Sequence, residues 1–116
     1  MDITLEELPG ATVVSLKGRL DFEAADVVGA RLAELLGRPE GVTAIVIDGS
    51  ELTYLSSAGL RVFLTLAKDA RAASVPLVVA ALHPAAAEVF EISGFTHARI
   101  LDLRDTVEEG VTSVRA

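Results

Sequence analysis

Two adjacent serines, Ser56 and Ser57, stand between an apolar run that closes on Asp48 and a longer stretch with helical spacing. A serine hydroxyl can attack, be esterified or cap a helix, and its neighbours decide which. The hydrolase elbow Gly-x-Ser-x-Gly is absent, since the chain reads Tyr54-Leu55-Ser56-Ser57-Ala58-Gly59. Neither His83 nor His97 is followed by an obvious orienting acid. The two histidines lie 14 residues apart, share no metal-ligand spacing, and read as surface or turn residues. The chain has no cysteine, hence no thiol nucleophile, disulfide framework or thiolate metal site. No Gly-x-x-x-x-Gly-Lys-Ser/Thr phosphate loop occurs. Asp21 and Asp48 sit where a strand meets a loop or helix, positions from which they can flank the serines or act as caps and turn-makers. No catalytic residue, metal or cofactor is expected.

Capping and esterification remain. Serine is a preferred N-cap because its hydroxyl accepts a hydrogen bond from an orphan N–H of the first turn. The same helix start, with unpaired N–H groups and a partial positive charge, accommodates a phosphate. A phosphoserine there adds nearly two negative charges to the surface, which the fold tolerates and a docked partner feels. Gly59 falls early in the helix, where glycine costs roughly 1 kcal/mol relative to alanine, so a small residue there points to close approach by backbone or by a partner.

The elements that must position these groups follow from periodicity. "DITLEE" and the alternating "TVVSLKGRL" read as two antiparallel strands joined at Leu8-Pro9-Gly10-Ala11, with Gly18 ending the second. "LDFEAADVVGARLAELLGRP" reads as a helix capped by Asp21, with Glu23 in its first turn, Ala25, Val28, Leu32, Leu35 and Leu36 on one face, and Gly37 and Pro39 as the stop. "VTAIVIDGS" is a β-branched apolar run expected to be a strand buried on both faces. The next helix begins at the serine pair, with Leu60, Phe63, Leu64 and Ala67 as its buried stripe and Arg61, Thr65, Lys68, Asp69 and Ala72 opposite. "VPLVVAAL" predicts a further buried strand, "PAAAEVFEISG" a Pro-led helix, "HARIL" a short strand, and "DLRDTVEEGVTSV" a closing helix with Leu103, Val107, Val111 and Val114 at helical spacing. The order β-β-α-β-α-β-α-β-α predicts an α/β fold: a mixed sheet, with an N-terminal hairpin and a mostly parallel body, packed with about four α-helices.

The totals agree. The 116 residues fit one domain, 1–116, with no repeat or linker. Half the residues are hydrophobic and only 4% are aromatic, so the core is built from Val, Leu, Ile and Ala. The net charge of −7 argues against a nucleic-acid partner or an anionic membrane surface. "MDITLEELPG" lacks the basic start of a signal peptide, and no apolar run is long enough to span a bilayer. A cytoplasmic monomer with protein partners is expected.

"DGSELTYLSSAGLRVFL" resembles the signature of the STAS family, in particular its stand-alone bacterial anti-sigma-factor antagonists. The family pattern of Asp-x-Ser, a hydrophobic-aromatic segment, serine, a small residue, Gly and Leu is met by Asp48, Ser50, Leu52, Tyr54, Ser57, Ala58, Gly59 and Leu60. "LKGRLDFEAA" resembles the second strand and first helix start, with Asp21 in the place of an acid near the serine loop, and "HPAAAEVFEISGF" resembles the Pro-led helix ending in Gly and an aromatic. The resemblance implies a non-enzymatic partner switch. The unphosphorylated protein binds an anti-sigma-factor serine kinase and frees the sigma factor, phosphorylation weakens the complex, and a PP2C-type serine phosphatase restores it. By position the modified residue is Ser57, with Ser56 as second choice. Many members carry Asp directly before that serine, where this chain has Ser56. The implied contact surface comprises the loops around Asp21, Ser50 and the serine pair with Ala58 and Gly59, and the exposed helix start, especially Arg61. The resemblance also extends to small STAS subunits of lipid-transport ABC assemblies, which bind their ATPase without phosphorylation.

Overall fold

A computed structural model describes residues 1–38, 41–94 and 101–115. Its elements are β1 (Asp2–Leu8), β2 (Ala11–Leu20), α1 (Phe22–Leu36), β3 (Ile45–Leu55), α2 (Ser57–Ala72), β4 (Leu77–Ala80), α3 (Pro84–Ile92), β5 (Asp102–Arg104) and α4 (Val107–Arg115). The strands form one sheet in sequence order, with β1 antiparallel to β2 and every later pair parallel. The hairpin turns through Pro9 and Gly10, and Gly10 adopts φ 80°, a conformation that glycine takes without a Cβ penalty.

The alternation along β2 and β3 assigns two cores. Val14, Leu16, Ile45 and Ile47 join the buried residues of α1, α2 and α3 in one cluster. Ala11, Val13, Ala44 and Val46 join Val111 of α4 in the other, so α4 covers the opposite face. The segment Ala44–Ile47 is fully buried, as expected of a strand covered on both sides. With few aromatics to fill space, the larger core includes an edge-to-face pair, Phe63 of α2 against Phe90 of α3, with ring centroids 5.1 Å apart. On the other face α4 approaches closely because it carries Gly110, where a Cβ would stand 3.1 Å from Val46 Cγ1 and 3.2 Å from Val78 Cγ1. Glu7 ties the hairpin to the end of α1, accepting from Arg38 at 2.7 Å and from Thr12 Oγ1 at 3.0 Å. The Arg38 guanidinium, aided by the Thr12 hydroxyl, holds the Glu7 carboxyl below its ordinary range.

Several boundaries differ from those expected. Gly18 does not end β2; the strand runs on to Leu20, with a register shift between Gly18 and Arg19 and φ 108° at the glycine. β3 begins at Ile45 rather than in "VTA", and continues through the polar segment to Leu55. Two irregularities in its pairing with β2 give β3 extra residues, which break the alternation and disguise its far half as a loop. β4 is only Leu77–Ala80, because Ala81 turns to φ 57°. In α2 the buried stripe is Gly59, Phe63, Leu66 and Ala70, while Leu60, Leu64 and Ala67 are half-buried, a stripe rotated from the expected one. The expected strand "HARIL" lies outside the described residues up to position 100. The observed β5 is Asp102–Arg104, so Leu103 belongs to a strand and the last helix starts only at Val107. Pro39 and His97 also lie outside the described residues.

Candidate functional site

In a parallel α/β arrangement the helices begin where the strands end, and exposed helix starts gather at that end of the sheet. β2 and β3 outrun β4, which pairs only with the Ile45–Asp48 part of β3. The last register pair of the longer ribbon is Leu20↔Leu55, and both chains turn there directly into helices. At the β2 end, Asp21 is extended and its Oδ1 accepts from the Ala24 N–H at 2.9 Å, capping α1. At the β3 end, Ser56 is extended and its Oγ accepts from the Gly59 N–H at 3.0 Å, capping α2. The capping expected of the serine pair therefore falls to Ser56.

The junctions are joined through one carbonyl. Leu20 O accepts both the Ser56 N–H and the Ser56 hydroxyl, each at 3.0 Å. Gly59 permits the approach: a Cβ there would stand 2.7 Å from both Leu20 O and Leu20 Cγ, and 2.8 Å from Leu55 Cδ1. Gly59 is buried, so of its two expected uses the close approach of backbone is the one found.

Ser57 is the first residue of α2, and its side chain is exposed. Gly59 N–H bonds to Ser56 Oγ and Leu60 N–H to Ser56 O. The N–H groups of Ser57 and Ala58 are thus the first-turn donors without an acceptor among the described residues. No acid occupies the first turn of α2. Arg61 follows Ser57 by four residues, a spacing that puts both on one helix face, and it too is exposed. Asp21 and Ala58 are half-buried beside them.

Ser50 is not part of this group. It lies within β3, five residues before Leu55, roughly 15 Å back along the strand. Its N–H bonds to Asp48 Oδ1 at 3.0 Å, so Asp48 serves the backbone irregularity of β3 and does not flank the serines. Ser50, expected in a loop, instead lies in strand, because β3 continues through the intervening residues to Leu55. His83 caps α3, its Nδ1 accepting from Ala85 N–H at 3.1 Å, which agrees with a turn role.

Arg19 and Phe22, near the serines, escaped the sequence reading, as did the contact that Tyr54 makes. Arg19 and Tyr54 pair across the ribbon, the guanidinium 4.0 Å from the ring centroid, a contact that depends on a register shifted by bulges. Phe22, at the start of α1, is 78% exposed. Helical spacing puts it in line with the buried Ala25, which disguises it as core. Phe22, Ala58 and Arg61 line a groove of about 400 Å³ between α1 and α2, with Ala25, Val62 and Leu66 among its walls. An exposed aromatic beside an open groove is the composition of a docking surface. Among the described residues no group of three or more His, Cys, Asp or Glu could hold a metal, and no helix is long and apolar enough to cross a membrane.

Comparison with known proteins identifies the family. The chain is 39% identical over 95 residues to BtrV of Bordetella bronchiseptica, a protein whose name assigns it the role of anti-sigma factor antagonist, with 82% of this chain and 80% of BtrV covered. An anti-sigma factor antagonist from Mycobacterium paratuberculosis superposes with a TM-score of 0.84 over 99% of this chain and 94% of its own, at 23% identity. The Bacillus cell fate determinant SpoIIAA in its phosphorylated form superposes with a TM-score of 0.73 over 97% of this chain and 99% of its own, also at 23% identity. These two likenesses establish the shared fold, and residues 3–105 match the family model described as "Mlab, STAS domain". The chain belongs to the STAS domain family.

Proposed function

We propose that this chain is an anti-sigma-factor antagonist that works as a phosphorylation-controlled switch, with Ser57 as the modified residue. The observation that carries the reading is the contrast within the serine pair. The Ser57 side chain is exposed at the start of α2, while the Ser56 hydroxyl is engaged as both donor and acceptor. The relationship to BtrV supports the role, and the SpoIIAA structure shows that a protein of this fold exists in a phosphorylated form.

Unphosphorylated, the surface formed by Asp21, Ser57, Ala58, Arg61 and the exposed Phe22 docks an ATP-dependent serine kinase that doubles as an anti-sigma factor, and the sigma factor is released. Transfer of the ATP γ-phosphoryl group to Ser57 Oγ, with loss of the hydroxyl proton, adds a charge of about −1.5 to −2 where the kinase must approach closely. A charge of that size in a desolvated interface costs several kcal/mol, enough to dissociate the complex. A PP2C-type phosphatase resets it. The unit that switches is the chain as a single STAS domain in the ATP-containing cytoplasm. Incubation with ATP and an anti-sigma-factor serine kinase should add one phosphoryl group to the peptide containing Ser57 and weaken kinase binding. Ser57→Ala should bind and resist release. A protein that stays unmodified and co-purifies with an ABC ATPase would overturn the switch in favour of a constitutive subunit.

A further inference from the structure

Ser56 makes one hydrogen bond more than a helix cap needs. As a cap, its Oγ accepts from Gly59 N–H at 3.0 Å. The same oxygen donates to Leu20 O at 3.0 Å, the carbonyl that also takes the Ser56 backbone N–H. A hydroxyl carries one proton, so its direction is fixed: the proton goes to Leu20 and a lone pair to Gly59. Leu20 is fully buried, which shields the contact from competing water. The Leu20 carbonyl belongs to the peptide that leads into Asp21, the cap of α1, and Phe22 follows at once.

We infer that Ser56 is a positioning residue for the modification of Ser57. It latches the start of α2 to the start of α1, so that the Ser57 hydroxyl and the Asp21–Phe22 edge meet the partner as one rigid surface. The inference rests on Ser57 being the modified serine, and it assigns the neighbouring hydroxyl a separate task. Esterifying Ser56 would remove the proton that reaches Leu20. An acid at position 56 would still cap α2, but an ionised carboxylate accepts without donating and would face the Leu20 carbonyl. Capping and latching are therefore separable by substitution: Ser56→Asp keeps the cap alone, Ser56→Thr keeps both, and Ser56→Ala keeps neither.

Amide hydrogen exchange on the purified proteins tests the latch without any kinase. In Ser56→Asp the Gly59 amide should stay protected, while the amides of residue 56, Ala24 and Ala25 exchange faster by roughly threefold to tenfold, the worth of one neutral hydrogen bond. Ser56→Thr should match the parent, and Ser56→Ala should exchange faster at all four positions. With ATP and the anti-sigma-factor kinase, KM for the protein substrate should rise by about the same factor in Ser56→Ala, with kcat little changed and Ser56→Thr at the parent value. Unchanged exchange at Ala24 and Ala25 in Ser56→Asp, or a Ser56→Thr protein that behaves like Ser56→Asp, overturns the latch. A parent protein that the kinase does not modify overturns the switch itself, and the exchange data tell the two failures apart.

Discussion

The starts of α2 and α3 use the same construction to different ends. Each follows a parallel strand. Each is capped by its own side chain, Ser56 Oγ to Gly59 N–H at 3.0 Å and His83 Nδ1 to Ala85 N–H at 3.1 Å. Each is tied to a neighbouring strand by a main-chain bond of 3.0 Å, Ser56 N–H to Leu20 O and His83 N–H to Gly49 O. The difference lies at the first helical residue and around it. α2 presents the exposed Ser57 hydroxyl beside Arg61, Phe22 and an open groove. α3 presents Pro84, whose side chain has no polar atom, followed by three alanines. A capped, tethered helix start thus occurs at both junctions, and under the proposed function it acts as a switch only at α2, where a modifiable group and an open groove meet.

The largest effect that could break this contrast belongs to Ser57→Asp. It should weaken kinase binding on the order of 100-fold while leaving thermal unfolding unchanged, because an acid suits a helix start. Undiminished affinity by calorimetry would remove the electrostatic basis of the switch. Phe22→Ala should follow, with a loss of roughly 30-fold in affinity, about 2 kcal/mol, and little change in stability, since the side chain is 78% exposed. Next comes the packing beneath the site. Gly59→Ala should destabilise by about 1–3 kcal/mol in denaturant titration, because its Cβ would collide with Leu20 and Leu55. The control is Gly29→Ala in α1, where the nearest atom, Val62 Cγ2, is 3.9 Å away; that change should stabilise by roughly 0.5–1 kcal/mol. Smallest is His83→Ala, which removes a cap worth about 0.5–1 kcal/mol and should leave kinase affinity untouched. If His83→Ala weakened the complex as Ser57→Asp does, the two helix starts would not be functionally distinct.

Local signals carried well from sequence to structure. Asp21 and the serine pair were legible as helix starts because capping is decided within three residues, and α1 buries the face that its spacing indicated. The far half of β3 was not legible. β3 is buried continuously from Ile45 to Ile47, and beyond Gly49 it falls into a pattern of two exposed residues for each buried one, because bulges against β2 and the absence of β4 beyond Asp48 remove the two-sided neighbours that make a strand look like one. That misreading put Ser50 in a loop with the serines. Phe22 was hidden by the opposite error, since its spacing matches the buried stripe of α1 although it stands one turn beyond the surface that covers that stripe.

What the sequence by itself determined is the element order, the largely aliphatic character of the core and the place of the serines at a helix start, all set by short-range propensity and by the periodicity of apolar residues. Only the tertiary structure decided which serine is free. Ser56 and Ser57 are chemically identical and adjacent, and what separates them is a carbonyl 36 residues earlier in the chain, brought within 3.0 Å of one hydroxyl by the pairing of β2 with β3. A hydrogen bond across that separation depends on strand register, and register is a property of the sheet rather than of any local stretch of residues.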